Sequence, residues 1–325
     1  MPKALQCNAF GPPETLSIED VPSLPLAAGE VRIAIKAAAL NFADTLIIEG
    51  KYQEKPPFPF APGMECAGLV TELGEGVRHL KVGQRVMALS AKGAFREDTV
   101  VEAAGVLPIP DGMDFTTAAA FPVAYGTSHL ALTDRAQLKA GETLLVLGAS
   151  GGVGLTAVEI GKAMGARVIA AASSPEKLAV AKEHGADEVI DYASEDLKAR
   201  LKELAPKGVD VVFDPVGGDY FDAALRNMAW CGRIITIGYA AGRIPQVPAN
   251  LLLVKNCAVL GLFWGAYRKF NPQRLGQSLM ELLALWGQGK LRPHVSHALP
   301  LADYATAFHL LSGRKATGKV VLTLE

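Results

Sequence analysis

A short glycine-rich turn between an apolar strand and an apolar helix constrains the fold more than any other part of this sequence. Residues 143–148, TLLVLG, have the composition of a fully buried strand. The turn GASGGVG follows at 148–154, and residues 152–164 form a predicted helix with little polar surface. A second apolar run, ARVIAAA, comes at 166–172. This order predicts a βαβ unit, the building block of a parallel sheet covered by helices.

The spacing of this turn matches the dinucleotide-binding fingerprint Gly-x-Gly-x-x-Gly, with Ala149 in the first position. Gly151 would let the backbone approach a pyrophosphate, and Gly154 would let the helix pack closely on the strand. The free N–H groups of the helix amino end favour anions, so we expect four residues to bind the phosphates: Ser150, Gly151, Gly152 and Val153. The alternative is a tight turn that holds no ligand.

The end of the second strand distinguishes between the two nicotinamide cofactors. An NAD site usually has an acidic residue there to bind the ribose 2′-hydroxyl, whereas this chain has Ala172. Ser173 and Ser174 follow, and Lys177 lies one helical turn further on. Hydroxyls and a cation suit a 2′-phosphate, which favours NADPH. Glu176 weakens this interpretation, and Lys177 could instead be an ordinary solvated helix lysine.

The chain divides into two parts that differ in their pattern of predicted strands and helices. Up to about residue 120, short apolar runs alternate with Gly and Pro, and in VRIAIK the residues Val31, Ile33 and Ile35 share one face, as in a half-buried antiparallel strand. From about residue 123, strands alternate with helices, and six apolar strands are predicted before residue 265. That alternation predicts an α/β fold with a doubly wound parallel sheet. The closing strand, KVVLTLE, is expected to rejoin the first part of the chain.

Charge and composition exclude several classes of function. The 32 Lys and Arg residues balance 33 Asp and Glu residues, so we expect neither nucleic-acid nor membrane binding. No apolar run reaches the roughly 18 residues of a membrane span, and the N-terminus lacks the apolar region of a secretory signal. The four cysteines are isolated, which favours buried free thiols in a cytoplasmic protein.

Together these residues resemble the medium-chain dehydrogenase/reductase superfamily, and within it the zinc-free quinone oxidoreductases related to ζ-crystallin. The specific segments are NFADTLIIEGKY at 41–52, PFPFAPGMECAGLVTELGEGV at 57–77, the glycine turn, and ATGKVVL at 316–322. The resemblance implies a Rossmann domain inserted in a GroES-like β-barrel domain. The expected boundaries are 1–122 for the GroES-like domain, 123–265 for the NADPH-binding domain, and 266–325 for the return to the first domain.

The resemblance also allows the catalytic metal to be tested on the sequence. Zinc-dependent members have Cys where this chain has Asn41, and Gly-His-Glu where it has Gly63-Met64-Glu65. Catalytic zinc needs three protein ligands, and an amide with a thioether does not replace thiolate and imidazole. We therefore expect no bound metal, with Glu65 surviving as a structural remnant that lacks a partner for base catalysis.

Hydride transfer from NADPH to a conjugated acceptor is the chemistry that the family implies. Such an acceptor delocalises the incoming charge, so the protein mainly has to orient the acceptor and donate hydrogen bonds to the developing oxyanion. Asn41 and Tyr52 are the implied catalytic residues, one through its amide and the other through its phenol. Tyr52 could instead be a packed rim residue, and Asp44 is expected to be a structural acceptor.

The resemblance further implies cofactor contacts for residues spread over both halves of the chain. Thr127 is expected near the nicotinamide and Tyr192 near the 2′-phosphate. Gly238 and Tyr239 end a strand at the ligand-binding edge. The remaining implied contacts are Phe263, Trp264, Gly265 and Lys319. For Tyr192 the alternative is a surface tyrosine, for Phe263 and Trp264 core or interface packing, and for Lys319 a strand-edge lysine that discourages aggregation. The sixth strand, 257–263, is an expected pairing edge for a homodimer.

Three functions are compatible with these features. The first is NADPH-dependent, zinc-independent reduction of quinones or other small conjugated carbonyl compounds. The second is reduction of the C=C bond of an enal, enone or 2-enoyl thioester, which needs nearly the same hydride geometry. The third is a non-enzymatic NADPH-binding protein. The motifs do not separate the first two, because a fold alone does not determine the substrate.

Overall fold

The computed structural model describes residues 1–324, which divide into two compact units. Unit 1 comprises Met1–Val123 and the segment that begins at Pro293, and unit 2 comprises Ala124–Arg292. The strands, in chain order, are β1 (Lys3–Gln6), β2 (Ser17–Asp20), β3 (Glu30–Ala39), β4 (Glu65–Leu73), β5 (Arg85–Leu89), β6 (Asp98–Glu102), β7 (Val106–Pro108), β8 (Thr143–Leu147), β9 (Arg167–Ala172), β10 (Glu188–Asp191), β11 (Val209–Asp214), β12 (Met228–Thr236), β13 (Ala258–Gly261), β14 (Val295–Pro300) and β15 (Lys319–Thr323).

The α-helices range from one turn to more than four turns in length. They are α1 (Phe42–Ile48), α2 (Phe115–Ala119), α3 (Pro122–Leu130), α4 (Gly152–Ala163), α5 (Pro175–Glu183), α6 (Leu197–Leu204), α7 (Gly218–Arg226), α8 (Ala249–Lys255), α9 (Tyr267–Phe270), α10 (Pro272–Gly287) and α11 (Tyr304–Ser312). Within residues 1–324, no helix combines the length and the apolar character that crossing a membrane requires.

Unit 1 is built around a seven-stranded sheet in the order β14-β15-β3-β4-β5-β7, with β6 paired to β3. Strand β3 is its centre and pairs with β4, β6 and β15. Val31, Ile33 and Ile35 are at most 1% exposed, which confirms the predicted buried face. The closing strand β15 lies antiparallel to β3 in this sheet, so the two ends of the chain share one core.

Unit 2 contains six parallel strands in the order β10-β9-β8-β11-β12-β13. In order of appearance this is 3-2-1-4-5-6, the doubly wound arrangement. The predicted fold class is therefore confirmed. Strands β8 and β11 are neighbours at the point where the winding reverses, and in such sheets ligands bind beyond the carboxyl ends of the strands at that point.

The last boundary differs from the predicted position. Residues 266–292, expected to belong with the first domain, lie in unit 2, and the return to unit 1 begins at Pro293. Helix α10 causes the difference because it is tied to α3 and to the residues that follow it. Arg274 forms an ion pair of 2.7 Å with Asp134, and Ser278 hydrogen-bonds His129 at 2.8 Å.

Candidate active site

The glycine turn joins β8, at the centre of the parallel sheet, to helix α4. Gly148 has a φ of +59°, and Gly151 is the N-cap of α4 with no side chain capping the first turn. A Cβ on Gly154 would lie 2.2 Å from the carbonyl oxygen of Gly148. No side chain fits there, so this glycine sets the close packing of the helix on the turn. The uncapped amino end of α4 leaves backbone N–H groups available to an anion.

The end of β9 brings together three of the predicted cofactor residues. The strand ends at Ala172, and the Ser174 hydroxyl caps α5 by accepting the Lys177 backbone N–H at 3.4 Å. The Lys177 ammonium donates to the Ser173 hydroxyl at 3.1 Å. One cation and two hydroxyls thus lie at the end of a strand whose last residue, Ala172, is not an acid. The Ser174 hydroxyl also keeps the pKa of the exposed neighbour Glu176 below its usual value.

Tyr192 lies next to this group. Its backbone N–H donates to the Ala172 carbonyl at 3.0 Å, and its ring centroid is 4.2 Å from that of Tyr220. The side chain is half-buried against the apolar core of unit 2. Tyr192 therefore directly follows β10, beside the end of β9, and its half-buried ring packs against Tyr220.

A buried carboxylate organises the turn after β11. Asp214 Oδ1 accepts the N–H groups of Val216 and Gly217, both at 2.8 Å. Burial raises the pKa of Asp214 to about 6. Gly238 and Tyr239 follow the neighbouring strand β12, and the Tyr239 ring lies 3.2 Å from the position of a Cβ on Gly217. Asp214 was not among the predicted site residues. The signal that could have identified it is the sequence VFDPVGG, in which an acidic residue ends an apolar strand just before a turn with Pro and Gly.

The aromatic pair near residue 264 is split between core and surface. Trp264 is 6% exposed and its indole lies against Gly126, where a Cβ would be 2.7 Å from the ring. Phe263 is 44% exposed, and Gly265 lies close to the Phe263 ring. Thr127, next to Gly126, is buried. The predicted residues 127 and 263–265 thus come together, with Trp264 in a packing role.

Unit 1 holds a buried polar cluster, which consists of Asn41, Asp44, Glu65 and Lys319. The Lys319 ammonium donates to Asn41 Oδ1 at 2.6 Å, to the Leu40 carbonyl at 2.7 Å and to Glu65 Oε1 at 2.9 Å. Lys319 is 6% exposed, so all three of its donors are used inside the protein. This differs from both sequence interpretations of Lys319, which expected a cofactor contact or a solvent-facing strand-edge lysine.

Glu65 is the acceptor at the centre of this cluster. It is fully buried, and it accepts the Asn41 Nδ2 amide at 3.0 Å and the Val123 backbone N–H at 2.8 Å in addition to Lys319. Glu65 thus has three hydrogen-bonding partners, which is compatible with the structural role expected of it. Because Asn41 Oδ1 faces an ammonium and Nδ2 faces a carboxylate, its amide orientation is fixed. The second N–H of Nδ2 makes only a 3.5 Å contact with the Ala39 carbonyl.

Asp44 and Tyr52 complete the polar residues of this region. Asn41 and Asp44 form a capping box at the start of α1, in which Asp44 Oδ2 accepts the Asn41 backbone N–H at 2.8 Å. Burial raises the pKa of Asp44 to about 7. The pKa of the Tyr52 phenol is also raised, first by burial and then by the charges of Glu54 and Asp44. Tyr52 is thus a neutral hydroxyl that can donate a hydrogen bond.

The residues at the implied metal position have the chemistry of an ion pair. Asn41 and Glu65 are both hydrogen-bonded to the Lys319 ammonium, which already neutralises the carboxylate. In the part of the chain that the structure describes, no group of three or more His, Cys, Asp and Glu side chains could hold a metal ion.

Comparison with known proteins agrees with both units. Residues 27–111 match the alcohol dehydrogenase GroES-like domain family, and residues 152–284 match the zinc-binding dehydrogenase family. A quinone oxidoreductase-like protein 2 homolog from Nematostella vectensis is 42% identical over 328 residues, covering 99% of this chain and 89% of that protein.

Two solved structures extend the comparison. The quinone oxidoreductase of Pseudomonas syringae pv. Tomato is 35% identical with a TM-score of 0.92, and the match covers all of both chains. The quinone oxidoreductase of Escherichia coli, solved in complex with NADPH, is 30% identical with a TM-score of 0.91, over 99% of this chain and 100% of that one.

Proposed function

Since this chain is an oxidoreductase of the quinone oxidoreductase-like branch of the medium-chain dehydrogenase/reductase superfamily, we propose that it reduces quinones with NADPH and without zinc. The observation that carries the proposal is the buried polar cluster. The Lys319 ammonium donates hydrogen bonds to the Glu65 carboxylate and the Asn41 amide, the two groups at the position where zinc-dependent relatives bind metal. The negative charge of Glu65 is therefore neutralised by Lys319. The acceptor must then carry its own electron-withdrawing conjugation, as a quinone does.

The NADPH site is proposed at the carboxyl edge of unit 2, meaning the ends of β8, β9, β11 and β12 with the turns that follow them. The pyrophosphate would be held by residues 150–153 at the amino end of α4. The 2′-phosphate would be held by Ser173, Ser174 and Lys177, with Tyr192 beside them. The nicotinamide half would contact Thr127, Gly238, Tyr239, Phe263 and Gly265. The similarity to the NADPH complex of the E. coli enzyme supports this assignment.

Bound NADPH would supply the hydride, and Tyr52 and Asn41 are the proposed residues that orient the acceptor. Tyr52 remains neutral because its pKa is raised, so it can donate its O–H to the oxygen that gains negative charge. Asn41 can donate through the second N–H of Nδ2, whose contact with Ala39 is long at 3.5 Å. Glu65 and Lys319 act as positioning residues that hold the amide in one orientation.

A homodimer formed through strand β13 is the proposed assembly. β13 is an edge strand of the parallel sheet, with one side unpaired within this chain. The adjoining helix α8 buries none of its residues, and Leu253 and Val254 are 80% and 65% exposed. Exposed apolar surface next to an unpaired strand edge is typical of an association surface. Analytical ultracentrifugation should give twice the chain mass, and Leu253→Glu should give monomers.

A cytoplasmic location is part of the proposal. The free thiols Cys7 and Cys66 are buried and unpaired, which suits a reducing compartment. Cell fractionation or imaging of the tagged full chain would check this location, and recovery in a membrane or secreted fraction would contradict it.

The decisive experiment follows NADPH oxidation with a quinone panel and identifies the product. The proposal predicts hydroquinone formation, faster turnover with NADPH than with NADH, and full activity after dialysis against a zinc chelator. A saturated carbonyl product from enones, with no hydroquinone from quinones, would instead assign C=C reduction. Binding of NADPH without turnover of either class would contradict both assignments.

A further inference from the structure

A tight turn, residues 215–218, follows β11 at the centre of the carboxyl edge of unit 2. On one side it packs against the glycine turn, since a Cβ on Gly148 would lie 3.0 Å from a methyl group of Val216. On the other side it holds the segment that follows β12, because the Val216 carbonyl accepts the Ala241 backbone N–H at 2.8 Å. The turn therefore borders both the proposed pyrophosphate contacts and the proposed nicotinamide contacts.

Asp214, the last residue of β11, holds this turn through its side chain. The residue is fully buried, and its Oδ1 accepts the backbone N–H groups of Val216 and Gly217. Gly217 and Gly218 have positive φ angles of 70° and 61°, and glycine has more backbone freedom to lose than any other residue. One carboxyl oxygen thus fixes a turn that would otherwise be costly to order.

The second carboxyl oxygen of Asp214, Oδ2, is buried and makes no hydrogen bond within residues 1–324. Thr236 on β12 is paired with Asp214 in the strand register, and over the same residues its buried Oγ1 also makes no hydrogen bond. A buried carboxylate with one oxygen unpartnered is costly in its charged form. The pKa of Asp214 is accordingly raised to about 6 by burial, against the effect of its two backbone hydrogen bonds.

The elements around Asp214 carry few charges of their own. Residues 143–154, which form β8 and the glycine turn, include no titratable side chain. On α7, Asp219 and Asp222 form ion pairs with the exposed Arg243, at 2.8 and 2.5 Å. The other titratable side chains of β11, β12, α7 and the segment after β12 are Asp210, Tyr220, Arg226, Cys231, Arg233 and Tyr239. Because burial is the main cause of its raised pKa, Asp214 should respond to a charge that a ligand brings to this edge.

We propose that Asp214 is a positioning residue for NADPH and that it takes up a proton from solvent when the cofactor binds. This inference rests on the NADPH site of the proposed function. Phosphates bound at residues 150–153 would add negative charge next to the turn that Asp214 holds, and like charges disfavour the ionised form of a carboxyl group.

The neutral side chain of Asp214 keeps Oδ1 as an acceptor for the turn, so protonation removes the repulsion and retains the position of the turn. The sign of the pH dependence follows from this. Cofactor affinity is full below about pH 6, where Asp214 is already protonated in the free protein, and it falls as the pH rises through the higher pKa of Asp214 in the complex.

Isothermal titration calorimetry of the full chain tests this without an acceptor, so the result does not depend on quinone turnover. Titrations at about pH 7 in buffers of different ionisation enthalpy give the number of protons taken up on binding, and titrations from about pH 5 to about pH 8 give the pH dependence of the Kd. NADH is titrated in parallel with NADPH, because a phosphate monoester such as the 2′-phosphate itself titrates near about pH 6. Proton uptake should be seen with both cofactors.

Three variants separate the charge of Asp214 from its hold on the turn. Asp214→Asn keeps an acceptor for the turn and is always neutral, so it should lose the proton uptake seen with NADH. At about pH 8 it should bind both cofactors about tenfold more tightly than the parent protein, if binding raises the pKa of Asp214 by about one unit. Asp214→Ala removes the acceptor as well and should weaken binding at every pH. Asp210→Asn is the matched control, because Asp210 lies on the same strand and also accepts a backbone N–H, from Thr143 at 2.8 Å.

Two results would overturn the role of Asp214. One is equal proton uptake by the parent protein and Asp214→Asn, and the other is weaker cofactor binding by Asp214→Asn at every pH, which a purely structural residue would give. The parent protein with NADH needs no variant, and a proton uptake of zero there would also overturn the proposal. Absence of binding by either cofactor would refute the NADPH site and this inference together. Cofactor binding with no turnover of quinones would contradict only the proposed reaction.

Discussion

The buried polar cluster of unit 1 and the carboxyl edge of unit 2 satisfy their polar groups in opposite ways. In the cluster, Lys319 has three acceptors and Glu65 has three donors, all within the protein. At the carboxyl edge, the first turn of α4 has no side-chain cap. Lys319 and Glu65 are thus fully partnered within the protein, whereas the first turn of α4 presents unused backbone donors. Partnered charges hold each other in place, and unused backbone donors at a helix amino end can bind an anion.

The comparison also shows why the two regions differ in their tolerance to substitution. A buried charge depends on its partner, because an uncompensated ion in the interior is far more costly than a missing surface contact. A backbone donor at a helix end has no side chain to lose, so only a steric change can remove it. The stability of the buried polar cluster in unit 1 should therefore depend on the charge of its side chains. The glycine turn in unit 2 should depend on side-chain size.

The largest expected effect is the loss of the cluster's cation. Lys319→Met leaves Glu65 buried and without its counter-charge, which should lower the free energy of unfolding by about 3–5 kcal/mol. Denaturant titration of the variant measures this, with the exposed Lys315→Met as matched control. A loss of stability equal to that of the control would mean that water or a bound ion already screens the charge of Glu65. That result would contradict the conclusion that Lys319 is the counter-charge of Glu65.

The next effect concerns pH and Asp44. Burial raises its folded pKa to about 7 from an ordinary value of 3.8, so the folded chain holds this proton more strongly than the unfolded chain. Its contribution to stability is complete below the unfolded pKa and is lost as the pH rises through about 7. The shift corresponds to about 1.4 kcal/mol for each pKa unit.

Asp44→Asn should remove this dependence. Relative to the parent protein, the variant should gain stability by a few kcal/mol between about pH 4 and about pH 8, and the difference should be constant above that range. Parallel unfolding titrations across this range provide the measurement. A difference that does not change with pH would show that Asp44 is already ionised in the folded protein.

Much of the fold could be predicted because local periodicity encodes it. Val31, Ile33 and Ile35 alternate along β3, and the six strands of unit 2 are short apolar runs with helices between them. Helix α8 was missed, since none of its residues is fully buried and it follows a proline-rich stretch. Leu251 and Leu252 pack against the core of unit 2 while Leu253 and Val254 are exposed, so apolar residues lie on both sides of the helix and no amphipathic pattern is visible.

The buried polar cluster was only partly predictable. Asn41 and Glu65 were identified by their positions in a family motif, but their common partner Lys319 lies 278 and 254 residues away. Strand register brings them together, since Ala39 is paired with both Glu65 and Val321. No local spacing encodes such a contact, so the roles of Lys319 and Glu65 could be assigned only from the folded chain.

A third prediction tests the sensitivity of unit 2 to shape. In Gly154→Ala the new Cβ would lie 2.2 Å from the Gly148 carbonyl, which forces the turn to shift and should cost about 1–3 kcal/mol of stability. The displaced turn should also weaken NADPH binding, measured by isothermal titration calorimetry. Gly276→Ala is the control: it lies in helix α10 with nothing near its Cβ position, and should be neutral or slightly stabilising. Equal behaviour of the two variants would contradict the packing role of Gly154.

The smallest expected effect is on cofactor affinity at the end of β9, where a charged side chain, Lys177, adds to a carboxyl edge whose other proposed contacts are mostly backbone groups. Lys177→Ala removes the cation beside Ser173, and a half-buried charged hydrogen bond to a phosphate is worth roughly 1.5 kcal/mol, or about tenfold in affinity. The Kd for NADPH should rise by that factor while the Kd for NADH stays unchanged, because NADH lacks the 2′-phosphate. Lys198→Ala, on the exposed side of α6, should alter neither. An equal loss for both cofactors would assign Lys177 to the pyrophosphate or to the fold, and the preference for NADPH would then depend on Ser173, Ser174 and Tyr192.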